Sequence, residues 1–123
     1  MKVKVKIESV HGDDEPIAAV YDGVREDTQI RYGDGDVLTI GSDEIVIDET
    51  GQMKAHIVLR PDGHVRMTPF ETAMGTLVFG IETRHVRIVR IPGKTVIETA
   101  YDLLAEGEIV NKVEMFITVV DCE

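Results

Sequence analysis

The sequence predicts one all-β domain, an antiparallel meander of about eight to ten strands that closes into a barrel. Three observations carry this prediction: apolar and polar residues alternate with period two, turn signals of Gly, Asp and Pro recur at short intervals, and no long segment has a clear helical period. Without an internal repeat or a Pro-rich linker, all 123 residues are assigned to a single domain, 1–123. A closed barrel is favoured because closure removes exposed strand edges.

The first strand has the clearest pattern. Val3, Val5 and Ile7 share one face, and the lysines at positions 2, 4 and 6 share the other, as in a sheet with one buried and one wet face. The acidic segment 13–16 that follows predicts a loop. Further strands are predicted at residues 17–24, 28–33, 36–41, 44–48, 76–83 and 112–120.

The segment 60–64, with Pro, Asp and Gly in succession, predicts a hairpin closed by a three-residue loop. That loop sets the register of the two strands beside it. The predicted inward pairs are Leu59–Val65 and Ile57–Met67, and the predicted outward pairs are Val58–Arg66 and His56–Thr68.

A second hairpin is predicted at residues 91–94, where Pro followed by Gly suits a type II turn. A two-residue loop pairs Ile88 with Ile97 inside the barrel and Arg87 with Glu98 outside. Residues 99–106 suit a short helix by propensity. We predict a strand instead, because alternate residues continue the inward row of the hairpin. The two predicted inward rows at this end of the chain are Ile97, Thr99, Tyr101 and Leu103, and then Val113, Met115, Ile117 and Val119.

The net charge of −10 argues against binding to nucleic acid or to an anionic membrane, since both require clustered Lys and Arg. The charge is unevenly distributed. Residues 11–52 contain twelve acids and two arginines, whereas residues 60–91 contain five arginines and three acids. Two solvated faces of different charge are one interpretation. The other is a bipolar surface that pairs with a second copy or with a basic partner.

A cytoplasmic location is predicted from the cysteine content. Cys122 is the sole cysteine, so an internal disulfide is impossible, and a lone thiol suits a reducing compartment. The N-terminal residues read as a strand and not as a signal peptide. No apolar run approaches the roughly 18 residues of a membrane-spanning helix, so we predict no membrane association.

Three short motifs resemble those of a known family. They are an aromatic-x-Thr-x-x-Gly step at 70–75, a Gly-Ile-x-Thr strand ending at 80–83 and an Ile-x-x-x-Tyr-x-Leu strand at 97–103. With the run 51–56, they resemble the YwiB-like family of uncharacterised bacterial proteins, which is grouped with the calycin-type barrels, and the resemblance covers about residues 36–120. It implies a calycin- or lipocalin-like barrel and no assigned activity.

Two positions depart from that pattern. The family often has Arg-x-Gly before the methionine that corresponds to Met53, where this chain has Glu49-Thr50-Gly51. The residue before Gly75 is Met74 instead of an aromatic residue. Because of the first departure, a family-wide role of that arginine is not expected to carry over to this chain.

No catalytic or metal-binding constellation is predicted, so no enzymatic activity and no cofactor are expected. Ser42 lacks the glycine two positions later that a nucleophile elbow requires. Cys122 lies between two acids that disfavour its thiolate. The four histidines have no metal-ligand spacing, and the acidic glycine-rich segment 33–36 predicts a hairpin turn and not a calcium site.

The predicted barrel interior carries the remaining functional hypothesis. Met67, Phe79, Tyr101 and Met115 are predicted to point inward, where aromatic and thioether groups either line a small apolar pocket or form plain core. One functional hypothesis is therefore a barrel that binds a small apolar or amphipathic ligand. The other is a self-associating interaction module without a ligand.

Overall fold

The computed structural model describes residues 1–122, and its ten strands run antiparallel to their neighbours in chain order. β1 pairs with β10, so the sheet closes into a barrel and the predicted meander is confirmed. The strands are β1 (Lys2–His11), β2 (Ile17–Glu26), β3 (Gln29–Tyr32), β4 (Asp36–Ile40), β5 (Ile45–Thr50), β6 (Lys54–Leu59), β7 (Val65–Thr72), β8 (Gly75–Ile91), β9 (Lys94–Ala105) and β10 (Glu108–Asp121).

The closure between β1 and β10 follows the predicted alternation. Val5 lies opposite Val119 and Ile7 lies opposite Ile117, and these side chains face the interior. The three lysines of β1 are exposed on the outer face. Burial of the β-branched rows stabilises the closure, because each such side chain removed from water contributes about 1.5–3 kcal/mol.

The hairpin of β8 and β9 has the predicted register. Ile88 lies opposite Ile97, and Arg87 lies opposite Glu98. Residues 99–105 continue β9 as a strand, as predicted. The register shifts between Thr83 and His85, which marks a bulge. β8 continues through this bulge, so it includes both the predicted strand 76–83 and the first strand of the predicted hairpin at 91–94.

The predicted register of β6 and β7 is wrong. Ile57 and Met67 do not pair, and the two strands pair only near the opposite end of the hairpin, where Ala55 lies opposite Phe70. This register differs by one residue from the predicted one, which exchanges the two faces of β7. Met67 is accordingly 66% exposed on the outside, whereas Phe70 is 7% exposed inside.

The cause lies in the loop between these strands. Asp62 binds Arg66 through two hydrogen bonds and accepts a third from the backbone N–H of His64. The backbone N–H of Arg60, at the start of the loop, bonds to Thr83 Oγ1 of β8 and not to β7, so no tight turn sets the register. Val65, which was predicted to face inward, is exposed, and Thr68, which was predicted to face outward, is buried.

The interior is a continuous apolar core that receives side chains from every strand. At the end of the barrel that contains Met1 and Cys122, Arg25 contacts two other strands: its Nη2 donates to Thr95 Oγ1 at 3.1 Å, and its Nη1 lies 3.6 Å from Asp121 Oδ1. Residues 1–122 contain no helix that is long and apolar enough to cross a membrane. The most deeply buried side chains are Val3, Val5, Ile30, Leu38, Ile45, Leu59, Ile81, Ile97, Thr99, Ile117 and Val119.

Candidate functional site at the aromatic end of the barrel

Five of the six aromatic residues of the chain face the barrel interior. They lie toward the end formed by the loops 12–16, 33–35, 51–53, 73–74 and 106–107, which we call the aromatic end. The sixth, Phe116, is 40% exposed on the outer face. The five residues of the aromatic end are Tyr21, Tyr32, Phe70, Phe79 and Tyr101.

These rings form two direct pairs. The ring centroids of Tyr21 and Tyr32 are 5.4 Å apart, and those of Phe70 and Phe79 are 5.7 Å apart in an edge-on arrangement. Both distances lie in the range that favours aromatic pairs. Tyr32, Phe70 and Tyr101 are buried, whereas Tyr21 and Phe79 remain half-buried. Each pair therefore joins one buried ring to one half-buried ring.

A carboxyl group lies near two of these residues, Tyr32 and Tyr101. Glu49 extends the inward row of β5 beyond Ile45 and Ile47, and its side chain is half-buried. Burial raises the pKa of Glu49 above the ordinary glutamate value, and the neighbouring charge of Asp36 adds to this effect. The ionised form of Glu49 is thus held in an unfavourable position.

The charge of Glu49 also affects the pKa values of Tyr32 and Tyr101. Burial raises the pKa of Tyr101 to about 12, and the Glu49 charge contributes to this shift. Burial also raises the pKa of Tyr32, with the charges of Asp36 and Glu49 as further causes. Both hydroxyls remain protonated near neutral pH and can donate hydrogen bonds. The aromatic end therefore offers ring faces, two hydroxyl donors and one partly desolvated carboxyl.

The four candidate ligand-contact residues predicted from the sequence do not all lie at one site in the structure. Phe79 and Tyr101 belong to the aromatic end. Met115 faces inward opposite Thr99 and packs against the core. Met67 is on the outer face, because the register of β7 differs from the predicted one.

Sequence reasoning missed four members of the site: Tyr21, Tyr32, Phe70 and Glu49. A signal existed for Glu49, since the alternation of Ile45 and Ile47 reaches it if the strand is extended by two residues. Phe70 was missed because the register of β7 was wrong.

The chain matches a described protein family over nearly its whole length. Residues 2–117 match the domain of unknown function DUF1934. The chain belongs to the DUF1934 family. Comparison with curated proteins gives no match.

The fold of this DUF1934 chain is similar to the crystal structure of the ywiB protein from Bacillus subtilis, with a TM-score of 0.76 and 17% sequence identity. The similarity covers 99% of this chain and 92% of that one. The resemblance inferred from the three motifs is therefore confirmed, and it concerns the fold.

The structure gives physical reasons for the motifs of this DUF1934 chain. At the turn from β7 to β8, Thr72 Oγ1 donates to Gly75 O at 2.8 Å and accepts from Met74 N–H at 3.2 Å. Gly75 has a φ of 120°, which L side chains rarely adopt. At Gly80, an added Cβ would lie 2.7 Å from Val65 Cγ1. The motif residues thus form a turn and permit a close strand contact.

A surface cleft elsewhere on this DUF1934 protein is less suited to binding. It measures about 650 Å³ and lies over β1, β2 and β3. Its charged walls, Lys2, Lys4, Asp22 and Arg31, are exposed, and Lys4 already pairs with Asp22. We place the candidate site at the aromatic end because its polar groups are partly desolvated, which strengthens their interactions. Within residues 1–122, no three His, Cys, Asp or Glu side chains are grouped to hold a metal ion.

Proposed function

We propose that this protein binds a small amphipathic ligand at the aromatic end of its barrel, with the apolar part of the ligand against Phe79 and Tyr21 and a cationic group near Glu49. The half-buried Glu49 carboxyl, whose charge acts on both Tyr32 and Tyr101 at the aromatic end, supports this proposal. Barrel mouths are a common place for such sites. The role is binding, and catalysis is not part of the proposal.

The cationic group is inferred from the electrostatics of the site. A cation over an aromatic face is attracted by about 0.5–2 kcal/mol, and more Tyr and Phe faces around it add to the effect. Glu49 carries its negative charge at a cost in the free protein, as its raised pKa shows. A bound cation would compensate that charge and lower the pKa of Glu49. An anionic ligand would instead meet the carboxyl directly.

The proposal is tested with three small probes that share one alkyl chain: octyltrimethylammonium, octanol and octanoate. The chain has no Trp, and its three tyrosines all lie at the aromatic end, so intrinsic tyrosine fluorescence reports on the site directly. We expect saturable changes that are strongest with the ammonium probe, weaker with octanol and weakest with octanoate.

Matched variants separate this site from other surfaces. Glu49→Gln should reduce the preference for the ammonium probe over octanol, and Phe79→Leu should weaken both. Phe116→Leu removes the outer aromatic residue and should leave the binding unchanged. Equal binding of all three probes, or no loss in Glu49→Gln and Phe79→Leu, would contradict the proposal.

Native mass spectrometry of the protein purified without refolding tests whether a natural ligand is present. An adduct that is lost on denaturation would support the binding role, and its mass would indicate the ligand class. Self-association, predicted from the uneven charge, remains the alternative, and the same spectra count the subunits. We further propose a cytoplasmic location, in line with the free and exposed thiol of Cys122.

A further inference from the structure

β2 has an open edge over its first half. On one side it pairs with β1 from Ile17 to Val24. On the other side it pairs with β3 only from Gly23 to Glu26, so within residues 1–122 no strand pairs with residues 17–22 on that side. β2 and β3 pair only beyond this segment, at residues 23–26, so the segment extends past the end of β3.

The backbone groups at this edge can be assigned from two hydrogen bonds. Arg25 N–H donates to Met1 O on the β1 side at 2.9 Å, and Gly33 N–H donates to Asp22 O on the β3 side at 3.3 Å. Since backbone groups point alternately to the two sides of a strand, odd-numbered residues of β2 face β1 and even-numbered residues face the open side. The N–H and C=O groups of Ala18 and Val20 therefore point toward the open edge.

The side chains do not protect this edge. Residues 17–21 carry no charge and no Pro, and Ile17 and Val20 are 59% and 63% exposed. Proteins usually block exposed edges with charges, Pro or a covering element, because a free edge pairs with other chains. An unblocked edge of this kind suits β-augmentation, in which an extended segment adds a strand.

The surrounding charge selects the partner. The exposed acids Asp13, Asp14 and Glu15 precede the edge, and exposed Asp34 lies in the turn beside its other end. The nearby lysines of β1 are already paired: Lys4 with Asp22 and Lys6 with Glu8. A second copy of the chain would bring the same acids to the contact, whereas a basic segment would be attracted by them.

We propose that the open edge of β2 at residues 17–21 docks an extended, basic segment of a partner protein as an added strand. Main-chain hydrogen bonds to Ala18 and Val20 would hold the segment, and its Lys or Arg residues would lie against the flanking acids. This site is separate from the aromatic interior, and its existence does not depend on the proposed ligand.

The probe is a short peptide with alternating Val and Thr and two Lys at each end; a control peptide has Glu in place of Lys. Binding is followed by amide NMR shifts and by hydrogen exchange of the Ala18 and Val20 amides. We expect the basic peptide to slow exchange at these two amides, to lose affinity as salt is raised, and to bind at least about tenfold more tightly than the acidic peptide.

Two variants at one position isolate the main-chain contact. Val20→Pro removes an N–H group that makes no bond within the barrel, and it should weaken peptide binding by about tenfold or more. Val20→Ala keeps that N–H and should bind within about threefold of the original protein.

Three results would overturn the proposal: unchanged exchange at Ala18 and Val20 with the basic peptide, equal binding of both peptides, or a dimer of the free protein that Val20→Pro dissociates. The last result would assign the edge to a second copy. Should Val20→Pro fail to fold, the exchange measurement on the original protein still decides.

Discussion

The backbone N–H of Arg60 donates a 3.0 Å hydrogen bond to Thr83 Oγ1, which joins the end of β6 to β8 and not to β7. Thr83 is buried, so this bond satisfies a donor that has left the regular ladder. The chain at Arg60 is thereby bonded to β8 and not to β7, and the ion pair of Asp62 and Arg66 orders the loop that follows.

Thr83→Val keeps the side-chain shape and removes this acceptor. We expect the free energy of unfolding to fall by about 1–3 kcal/mol, because the Arg60 N–H loses its partner in a partly buried position. Denaturant unfolding measures the change. Thr76→Val, on an exposed stretch of the same strand, is the control and should stay within about 0.5 kcal/mol.

Gly23→Ala should destabilise the barrel where β2 meets β3. An added Cβ would lie 2.7 Å from Arg31 O, a backbone atom of the paired strand that cannot move without disturbing the ladder. The expected loss is about 1–3 kcal/mol in denaturant unfolding. Gly51→Ala, whose Cβ would meet nothing within 4 Å, is the matched control. Equal effects of the two variants would show that the contact at Gly23 relaxes freely.

The orientation of β7 is tested by comparing Met67 with Phe70. Phe70→Ala removes a buried ring from the aromatic end and should cost about 3–5 kcal/mol. Met67→Ala removes an exposed side chain and should change the stability by about 0.5 kcal/mol or less. Thermal or denaturant unfolding measures both stability changes. A larger loss for Met67→Ala than for Phe70→Ala would support the register predicted from the loop.

Asp62 makes a contribution to stability that depends on pH. Hydrogen bonds from Arg66, and then from the His64 backbone, hold the pKa of Asp62 well below its usual value of 3.8. Because the folded-state pKa is the lower one, this stabilisation is present above pH 3.8 and is lost as the pH falls toward the folded-state value. Asp62→Asn should therefore show a shallower loss of stability in acid than the original protein, while Asp13→Asn, in the exposed loop, serves as control.

The contribution of Glu49 to stability depends on pH in the opposite direction from that of Asp62. Its pKa is raised by burial and by Asp36, so the folded state binds the proton more tightly than the unfolded state does. Stability is then lost as the pH rises from the ordinary value of 4.5 through the raised pKa, and the loss persists at neutral pH. Glu49→Gln should increase the free energy of unfolding at pH 7, although it weakens binding of a cationic ligand. A decrease at pH 7 would mean that the ionised carboxyl is stabilised by a partner in the barrel.

Local patterns predicted those parts of the fold in which neighbouring residues decide the outcome. The Pro92-Gly93 turn is tight, so it transmits its register to Ile88 and Ile97 as expected. The loop at Pro61 contains similar residues, but the Arg60 N–H at its start bonds to Thr83 of β8 and not to β7. A turn sets the register only where no side chain outside it competes for its backbone groups.

The candidate site was less predictable for a related reason. Phe79 and Tyr101 could be placed inside from the alternation of their own strands. The pairing of Phe79 with Phe70 and the proximity of Tyr101 to Glu49 depend on how the strands meet around the barrel. The perturbation of Glu49 arises from burial, which no local pattern expresses.

The sequence by itself determined the all-β class, the antiparallel order and most inward rows, because period-two alternation and turn chemistry act over a few residues. Tertiary structure alone decided the register of β6 and β7, the proximity of Tyr32 and Tyr101 to Glu49 and the open edge at Val20. Each of these depends on which distant strand lies alongside, and that choice is set by the packing and hydrogen bonding of the whole barrel.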